Sequence, residues 1–500
     1  MVKSQQRASG VSLRELFPRA EFMGAHDILV QSCCSDSRRI QPGDLFVALP
    51  GVQDDGHEHA SEALARGAAA MLVERMVPAP GLPQCVAPDV REAYGKVCQA
   101  VVGFPSRRMR TLGITGTSGK TTTTQLTHSI LSHAGAQVGA IGTLGVFDGL
   151  EHAPTLHTTP PAAVLAHWME SMVANDCSHL VMEVSSHALS QRRVAGIQYD
   201  AVCFTNIRRD HLDFHGSLLN YRRAKARLLD HLAPEGLVVI NADEPEVVEI
   251  GAEVFGPLLT VSMKKDADVT GHIVERCRSE QTFLLSAGNE TAPVRTAMIG
   301  DHHVYNCLCA AALGLGCGID LTTIARGLEA AGQVPGRLER IECGQSFGVF
   351  VDYAHTPDAL ASSLQALRQV TEGKLICVFG AGGERDVLKR PQMGAAVERG
   401  ADVAVITTDN PRGEAPQAIA REILVGFNRP SRAEQIADRG AAIRWAIAQA
   451  QTGDTVLIAG KGHEDYQIVG RQRFHFDDRQ VARELLYQLA PDETPVWARS

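Results

Sequence analysis

GITGTSGKTTTTQ, from Gly113 to Gln125, limits the fold more than any other stretch of the chain. The apolar run TLGIT reads as a buried strand. It enters a glycine turn, and Gly119-Lys120-Thr121 opens a segment with helical periodicity that closes at Gly135. A strand, a glycine turn and a helix in that order make a phosphate cradle. Glycines let backbone N–H groups approach phosphate oxygens, and the helix N-terminus adds positive potential. A lysine reaches the terminal phosphates, and a following threonine can hold Mg²⁺. The glycines fall at Gly113, Gly116 and Gly119. The strict pattern would need glycine at Ile114, so the loop departs from that of GTPases and transport ATPases.

A phosphate loop requires a parallel sheet around it, and the flanking sequence supplies one. SHLVMEVSS, DAVCFTN and GLVVINADE read as strands, and NYRRAKARLLDHL as a helix between them. Breaks fall near GFPSRRMR and VPGRLERI. Beyond the second, FGVFVDYAH, KLICVFGAGG, ADVAVITTD and DTVLIAGKG are four strand-plus-loop units, with amphipathic helices between them. At roughly 100–200 residues per domain, 500 residues suit about three α/β domains. We place them at 1–108, 109–337 and 338–500.

Net charge is −9, from 48 basic and 57 acidic residues, which gives no reason to expect nucleic-acid binding. No stretch approaches the ~18 apolar residues of a membrane helix, and the N-terminus lacks a signal-peptide core. None of the 12 cysteines forms a CxxC pair, so free thiols in a cytoplasmic protein are expected.

Acids and histidines that could place a metal follow the strands. Glu183 ends LVMEV beside Ser185 and Ser186, and FTNIRRDHLDFHG carries Asn206, Asp210, His211, Asp213 and His215. His211 is the histidine singled out. Lys225, in YRRAKARLL, reads on its own as an exposed helical lysine.

Together, TGTSGKTTT, MEVSSHAL, NIRRDHLDFHG, the helix with Lys225, PGRLERI and VDYAHTPDAL resemble the Mur ligases, over nearly the whole chain. These are cytoplasmic ATP-dependent ligases that build the peptide of the bacterial cell-wall precursor. CSDSRRIQPGDLFVALPG, DNPR and AGKGHEDYQIVG narrow the resemblance to the branch that adds meso-2,6-diaminopimelate to UDP-N-acetylmuramoyl-L-alanyl-D-glutamate.

The resemblance implies an N-terminal UDP-binding domain, a central P-loop ATPase and a C-terminal Rossmann-like domain. It implies ATP and Mg²⁺, an acyl-phosphate intermediate, no nucleic-acid or membrane partner, and a monomer. Ser35, Ser37, Val52, Gln53 and Asp54 are then expected at the UDP end. His157, Thr158, Thr159, Ser185, Gln191 and Arg193 would hold the muramoyl-peptide. Gly116, Thr117, Ser118, Gly119, Lys120, Thr121 and Thr122 would hold the phosphates, with Asn306, Arg337 and Asp352 facing the nucleotide. Lys120, Glu183, His211 and Lys225 become the catalytic set. The resemblance also implies that Lys225 is carbamylated, a metal-placing carboxylate alongside Thr121, Glu183 and His211. One segment departs from the family: GDHHVYN carries His302–His303 where an aromatic or small residue and an asparagine are expected.

Arg390, Asp409, Asn410, Pro411, Arg412, Gly460 and Glu464 are expected to bind diaminopimelate. Arg390 and Arg412 offer forks for a carboxylate, and Glu464 can accept from an ammonium. On the bland reading, Asp409 and Arg412 pair with each other to shape a proline turn. The rival functions are a lysine-adding homologue, a folylpolyglutamate synthase, or a non-catalytic ATP-binding module.

Overall fold

The computed structural model describes residues 10–51 and 54–489. Three large sheets organise the described chain, with two small two-stranded sheets beside them. The first runs in the order Glu21–Met23, Gln84–Val86, Ala70–Val73, Leu45–Val47, Cys33–Cys34, and is parallel except at Glu21–Met23. The central sheet has a parallel middle: Val138–Gly142, His179–Glu183, Arg110–Thr115, Tyr199–Phe204, Leu232–Asn241 and Leu258–Ser262. The third runs Glu339–Arg340, Gly348–Asp352, Thr455–Ala459, Leu375–Phe379, Val403–Ile406, Ala433–Gln435, and is parallel beyond its first strand. This is the three-domain α/β architecture expected from the sequence.

Strands covered by helices on both faces need apolar side chains at every position. TVLIA (Thr455–Ala459) and LICVF (Leu375–Phe379) are buried throughout. The helix Lys120–His133 packs under the central sheet, against Asp301–Gly316 and Leu321–Ala330. Ala310, Ala311 and Ala312 are fully buried, which lets the helices approach closely.

The sequence reading did not find the far edge of the central sheet. Val269–Arg276, Gln281–Ala287 and Glu290–Thr296 extend it as an antiparallel meander. Their outer face is solvated, so the apolar signal alternates instead of running on.

Parallel topology positions the sites. In the central sheet the chain moves one way from Arg110–Thr115 to Val138–Gly142 and His179–Glu183, then the other way to Tyr199–Phe204. Ligands of open α/β sheets bind beyond the carboxyl ends of strands at such a reversal, and the phosphate loop lies there. In the third sheet, Gly348–Asp352, Leu375–Phe379, Val403–Ile406 and Thr455–Ala459 all deliver their following loops to one edge.

One buried ion pair braces that edge from behind. Arg439 clamps Asp478 through Nε to Oδ1 (2.7 Å) and Nη2 to Oδ2 (2.6 Å), and Nη2 also donates to Ala459 O at 2.9 Å. Neither residue is more than 2% exposed. Removing one partner strands the other charge, so Asp478→Ala is expected to lose about 3–5 kcal/mol of stability. Equilibrium urea unfolding followed by far-UV circular dichroism measures this.

Candidate functional site

The phosphate loop is held by the segment after Tyr199–Phe204. Ser118 N–H donates to Asn206 Oδ1 (2.9 Å), Asn206 Nδ2 returns to Ser118 O (3.0 Å), and Thr205 Oγ1 also donates to Ser118 O (2.7 Å). Thr117 Oγ1 accepts from Arg208 N–H at 2.9 Å. Gly119 has φ +87°, and a Cβ there would lie 2.3 Å from Asn306 Oδ1. Only glycine satisfies both the backbone and the space. Asn306 is thereby seated against the loop, and Thr122 is buried behind it.

Lys120 Nζ donates to the carbonyls of Gly116 (2.8 Å) and Thr117 (2.9 Å), from its own loop. Lys225 Nζ donates to Gly116 O at 2.7 Å, and its ammonium lies 4.7 Å from the Tyr221 ring. Lys225 is 1% exposed, so the surface-lysine reading of this residue is wrong. Its burial, reinforced by the charge of Lys120, pushes its pKa well below the usual lysine range.

Glu183 is buried between Thr121 and Thr143. Oε2 accepts from Thr121 Oγ1 and Thr143 Oγ1, each at 3.0 Å, and Oε1 accepts from Thr143 N–H at 2.7 Å. From the junction with the third domain, Arg337 Nη2 reaches Thr121 Oγ1 at 2.8 Å while its guanidinium stacks over Tyr353. Asp352 is committed to the junction itself. It accepts from Leu338 N–H (2.7 Å), Ala354 N–H (3.0 Å) and Ser363 Oγ (2.9 Å).

Histidines gather beside this centre. His187 lies 4.7 Å from His211 and 5.7 Å from His215, ring to ring, and His215 Nε2 contacts Ser186 Oγ at 3.0 Å. Burial, with neighbouring positive charge, lowers all three to about 4, so each is neutral at pH 7. The sequence reading selected His211 alone. His187 followed Ser185-Ser186 in plain view, but a lone histidine carries little signal. Among the described residues, no three His, Cys, Asp or Glu groups form a closed metal cage. A carboxylate and a hydroxyl beside a phosphate loop fit an ion whose remaining ligands are phosphate oxygens and water, as Mg²⁺ prefers.

Thr159, Ser185, Gln191 and Arg193 form one network. Thr159 Oγ1 donates to Glu183 O (2.8 Å) and accepts from Ser185 N–H (3.0 Å). Arg193 Nη1 donates to Thr159 O (2.8 Å), and its Nε and Nη2 bind Gln191 Oε1. The Thr158 hydroxyl lies 3.1 Å from Thr143 Oγ1, to which it can donate, and His157 is exposed nearby. Ser35, Ser37 and Asp54 lie in the first domain, where Ser37 bonds Glu62 (2.6 Å) and Asp54 bonds His59 (2.9 Å). Val52 and Gln53 lie outside the described residues.

At the third sheet's edge, the loop after Val403–Ile406 is stitched to the one after Thr455–Ala459. Arg412 N–H donates to Ile468 O (3.1 Å), Gly470 N–H to Arg412 O (2.8 Å), and Gln467 Nε2 to Asp409 O (2.7 Å). Pro411 and Gly460 hold the two turns, with Gly383 N–H on Asn410 O at 2.9 Å. Arg412 Nη1 donates to Gly383 O at 2.7 Å, and among the described residues Arg412 has no ion-pair partner. Asp409 does not pair with it: the Asp409 carboxylate faces Lys461 instead, at 3.5 Å.

Arg390 corrects an expectation. It is 0% exposed, and its guanidinium is consumed by Glu414 (2.8 and 2.9 Å), Glu422 (2.7 Å) and Gly382 O (3.1 Å). A fork with two carboxylates already in it cannot receive a third. Lys461 and His355 went unread, the first because a lone lysine is surface by default. His303 is 2% exposed, and among the described residues neither ring nitrogen has a hydrogen-bond partner.

Family comparisons agree with this geometry. Residues 30–102 match the Mur ligase family catalytic domain, 114–314 the Mur ligase middle domain, and 336–462 the Mur ligase glutamate ligase domain. A protein of Geobacillus thermodenitrificans is 42% identical over 456 residues, 90% of this chain and 93% of that one. The chain belongs to the Mur ligase family. That relative is named UDP-N-acetylmuramoyl-L-alanyl-D-glutamate–2,6-diaminopimelate ligase, as is one of Gloeobacter violaceus, 42% identical over 484 residues, 95% of this chain and 98% of that one. A solved structure of an enzyme with the same name superposes with a TM-score of 0.69 at 31% identity, covering 96% of this Mur ligase and all of that chain. Among the described residues no helix is long and apolar enough to cross a membrane, and all 12 cysteines are free.

Proposed function

We propose that this Mur ligase joins meso-2,6-diaminopimelate to UDP-N-acetylmuramoyl-L-alanyl-D-glutamate, forming an amide at the expense of ATP, with domains spanning 1–108, 109–337 and 338–500. The observation that carries the choice of amino acid is Arg412, a guanidinium with no ion-pair partner among the described residues, in the loop that also presents Asn410 toward Glu464 (3.1 Å). A cation and an acid in one stitched loop pair suit a zwitterion. Diaminopimelate has a carboxylate at both ends, whereas lysine lacks the distal one. An unsatisfied guanidinium costs a few kcal/mol, on the order of 10²-fold in discrimination.

The substrate carboxylate and the γ-phosphate repel each other, so their reaction needs fixed positive charge. Lys120, Arg337 and the N-terminus of Lys120–His133 supply it. Thr121, Glu183, His211 and carbamylated Lys225 would hold Mg²⁺, which when bound neutralises phosphate charge. Thr159, Ser185, Gln191 and Arg193 would orient the muramoyl-peptide beside Glu183, with Ser35, Ser37 and Asp54 toward its UDP end. The incoming amine then displaces phosphate from the acyl phosphate, in a junction between two domains that excludes water.

Phosphate release with ATP and the UDP-linked acceptor, read across an amino-acid panel, tests this. Diaminopimelate is expected to exceed lysine by about 10²-fold in kcat/KM, and Arg412→Lys to lose most of that advantage. Equal use of both amino acids by the wild type would overturn the assignment. Release that ignores the acceptor and the amino acid would remove the ligase reading altogether.

A further inference from the structure

Lys461 is fully buried, and three oxygens from two loops surround its ammonium. Nζ lies 3.1 Å from Asn410 Oδ1, 3.5 Å from Asp409 Oδ1 and 3.6 Å from Glu464 Oε2. A buried ammonium persists only when paired. Here two carboxylates share one lysine. Arg439 also lies near Asp409, but Asp478 already neutralises it. Within the cluster two carboxylates stand against one ammonium.

The hydrogen bonds fix how those carboxylates are presented. Ile468 N–H can only donate, and it binds Asn410 Oδ1 at 2.9 Å. The Lys461 ammonium donates to the same oxygen. Two donors on one oxygen leave Asn410 a single amide orientation, with Nδ2 on Glu464 Oε2 at 3.1 Å. Glu464 Oε2 is thus tied down by Asn410 and Lys461, and the Tyr466 hydroxyl lies beside the same carboxylate.

We propose that Lys461 is a positioning residue for the incoming amino acid: it braces the Asn410 amide and separates Asp409 from Glu464, so that the Glu464 carboxylate is held in place as the acceptor for the substrate ammonium. This rests on the reading that the Asn410–Glu464 side of the cleft takes the amino acid. Without Lys461, the Asn410 oxygen keeps only the Ile468 N–H to hold it, and the two carboxylates face each other unscreened. One of them then takes up a proton, and the ammonium loses its acceptor.

The test is steady-state kinetics of the full chain, with whichever amino acid the wild type ligates. Lys461→Met is expected to raise the KM for the amino acid about 100-fold. The KM for ATP and for the UDP-linked acceptor should stay within about twofold, and kcat within about threefold. Lys461→Gln, which can still donate to Asn410, should fall between wild type and Lys461→Met. If Lys461→Met does not fold, Asp409→Asn/Lys461→Met removes the stranded charge with it and should show a smaller rise, still confined to the amino acid. An unchanged amino-acid KM, an equal loss toward all three substrates, or failure of the double variant to fold would each overturn the proposal. A wild type that ligates while its variants stay normal sinks this inference alone. A wild type that ligates nothing sinks the functional reading, and the inference falls with it.

Discussion

Lys120→Met is expected to lower kcat/KM for ATP by about 10³-fold or more, with little change in melting temperature. The side chain donates only to carbonyls of its own loop, Gly116 and Thr117, so no other element depends on it for packing. Its charge matters at the moment two anions meet. Burial lowers the Lys120 pKa, which signals that charge is held there against a desolvation cost. Methionine keeps the stem and removes the cation. Phosphate release measured at saturating acceptor and amino acid, alongside a thermal melt, separates catalytic loss from unfolding. A loss below about tenfold would mean that the loop's backbone N–H groups and Arg337 carry the phosphate without it.

Lys225→Ala should be nearly as damaging, about 10³-fold in kcat, for a different reason. A surface lysine would tolerate alanine. Lys225 is instead buried beside Lys120, and the lowering of its pKa by burial and by the Lys120 charge favours the neutral amine. A neutral amine adds CO₂ to form a carbamate and releases a proton. Acid reverses the reaction by protonating the amine. On this account the wild type loses activity when dissolved CO₂ is stripped and regains it when bicarbonate returns, whereas Lys225→Ala responds to neither. Lys225→Ala should recover in part with a short carboxylic acid that fills the vacated space. Wild-type activity insensitive to CO₂, with no rescue of the variant, would return Lys225 to an ordinary amine tethered to Gly116 O.

The parts legible in the sequence are those whose chemistry is local. The phosphate loop announces itself because strand, glycines, lysine and helix are contiguous. Glu183 was readable beside Thr121 because parallel strands bring their ends together by rule, and the two meet at 3.0 Å. The DNPR and GKGHED loops follow the same rule. What stayed hidden depends on distant partners. Arg390 and Arg412 look alike in the sequence, yet Arg390 is consumed by carboxylates 24 and 32 positions away. Lys461 shows the converse. Its role is set by Asn410 and Asp409, 51 and 52 positions back, and no local pattern marks it. The meander from Val269 to Thr296 was missed because a sheet edge with one wet face loses the continuous apolar run that made the inner strands visible.

Gly336 is where the phosphate-loop side of the molecule touches the segment that carries Lys461 and Glu464. It has φ +66°, and a Cβ there would fall 2.1 Å from His463 N, so two backbones lie in direct contact with no side chain between them. The next residue, Arg337, touches Thr121; Lys461, the residue before Gly462, grips Asn410. A displacement at either end has almost no soft material in which to dissipate. Two ligands joined by so stiff a link share a single coupling free energy. By whatever factor the nucleotide alters the amino acid's affinity, the amino acid must alter the nucleotide's by the same factor.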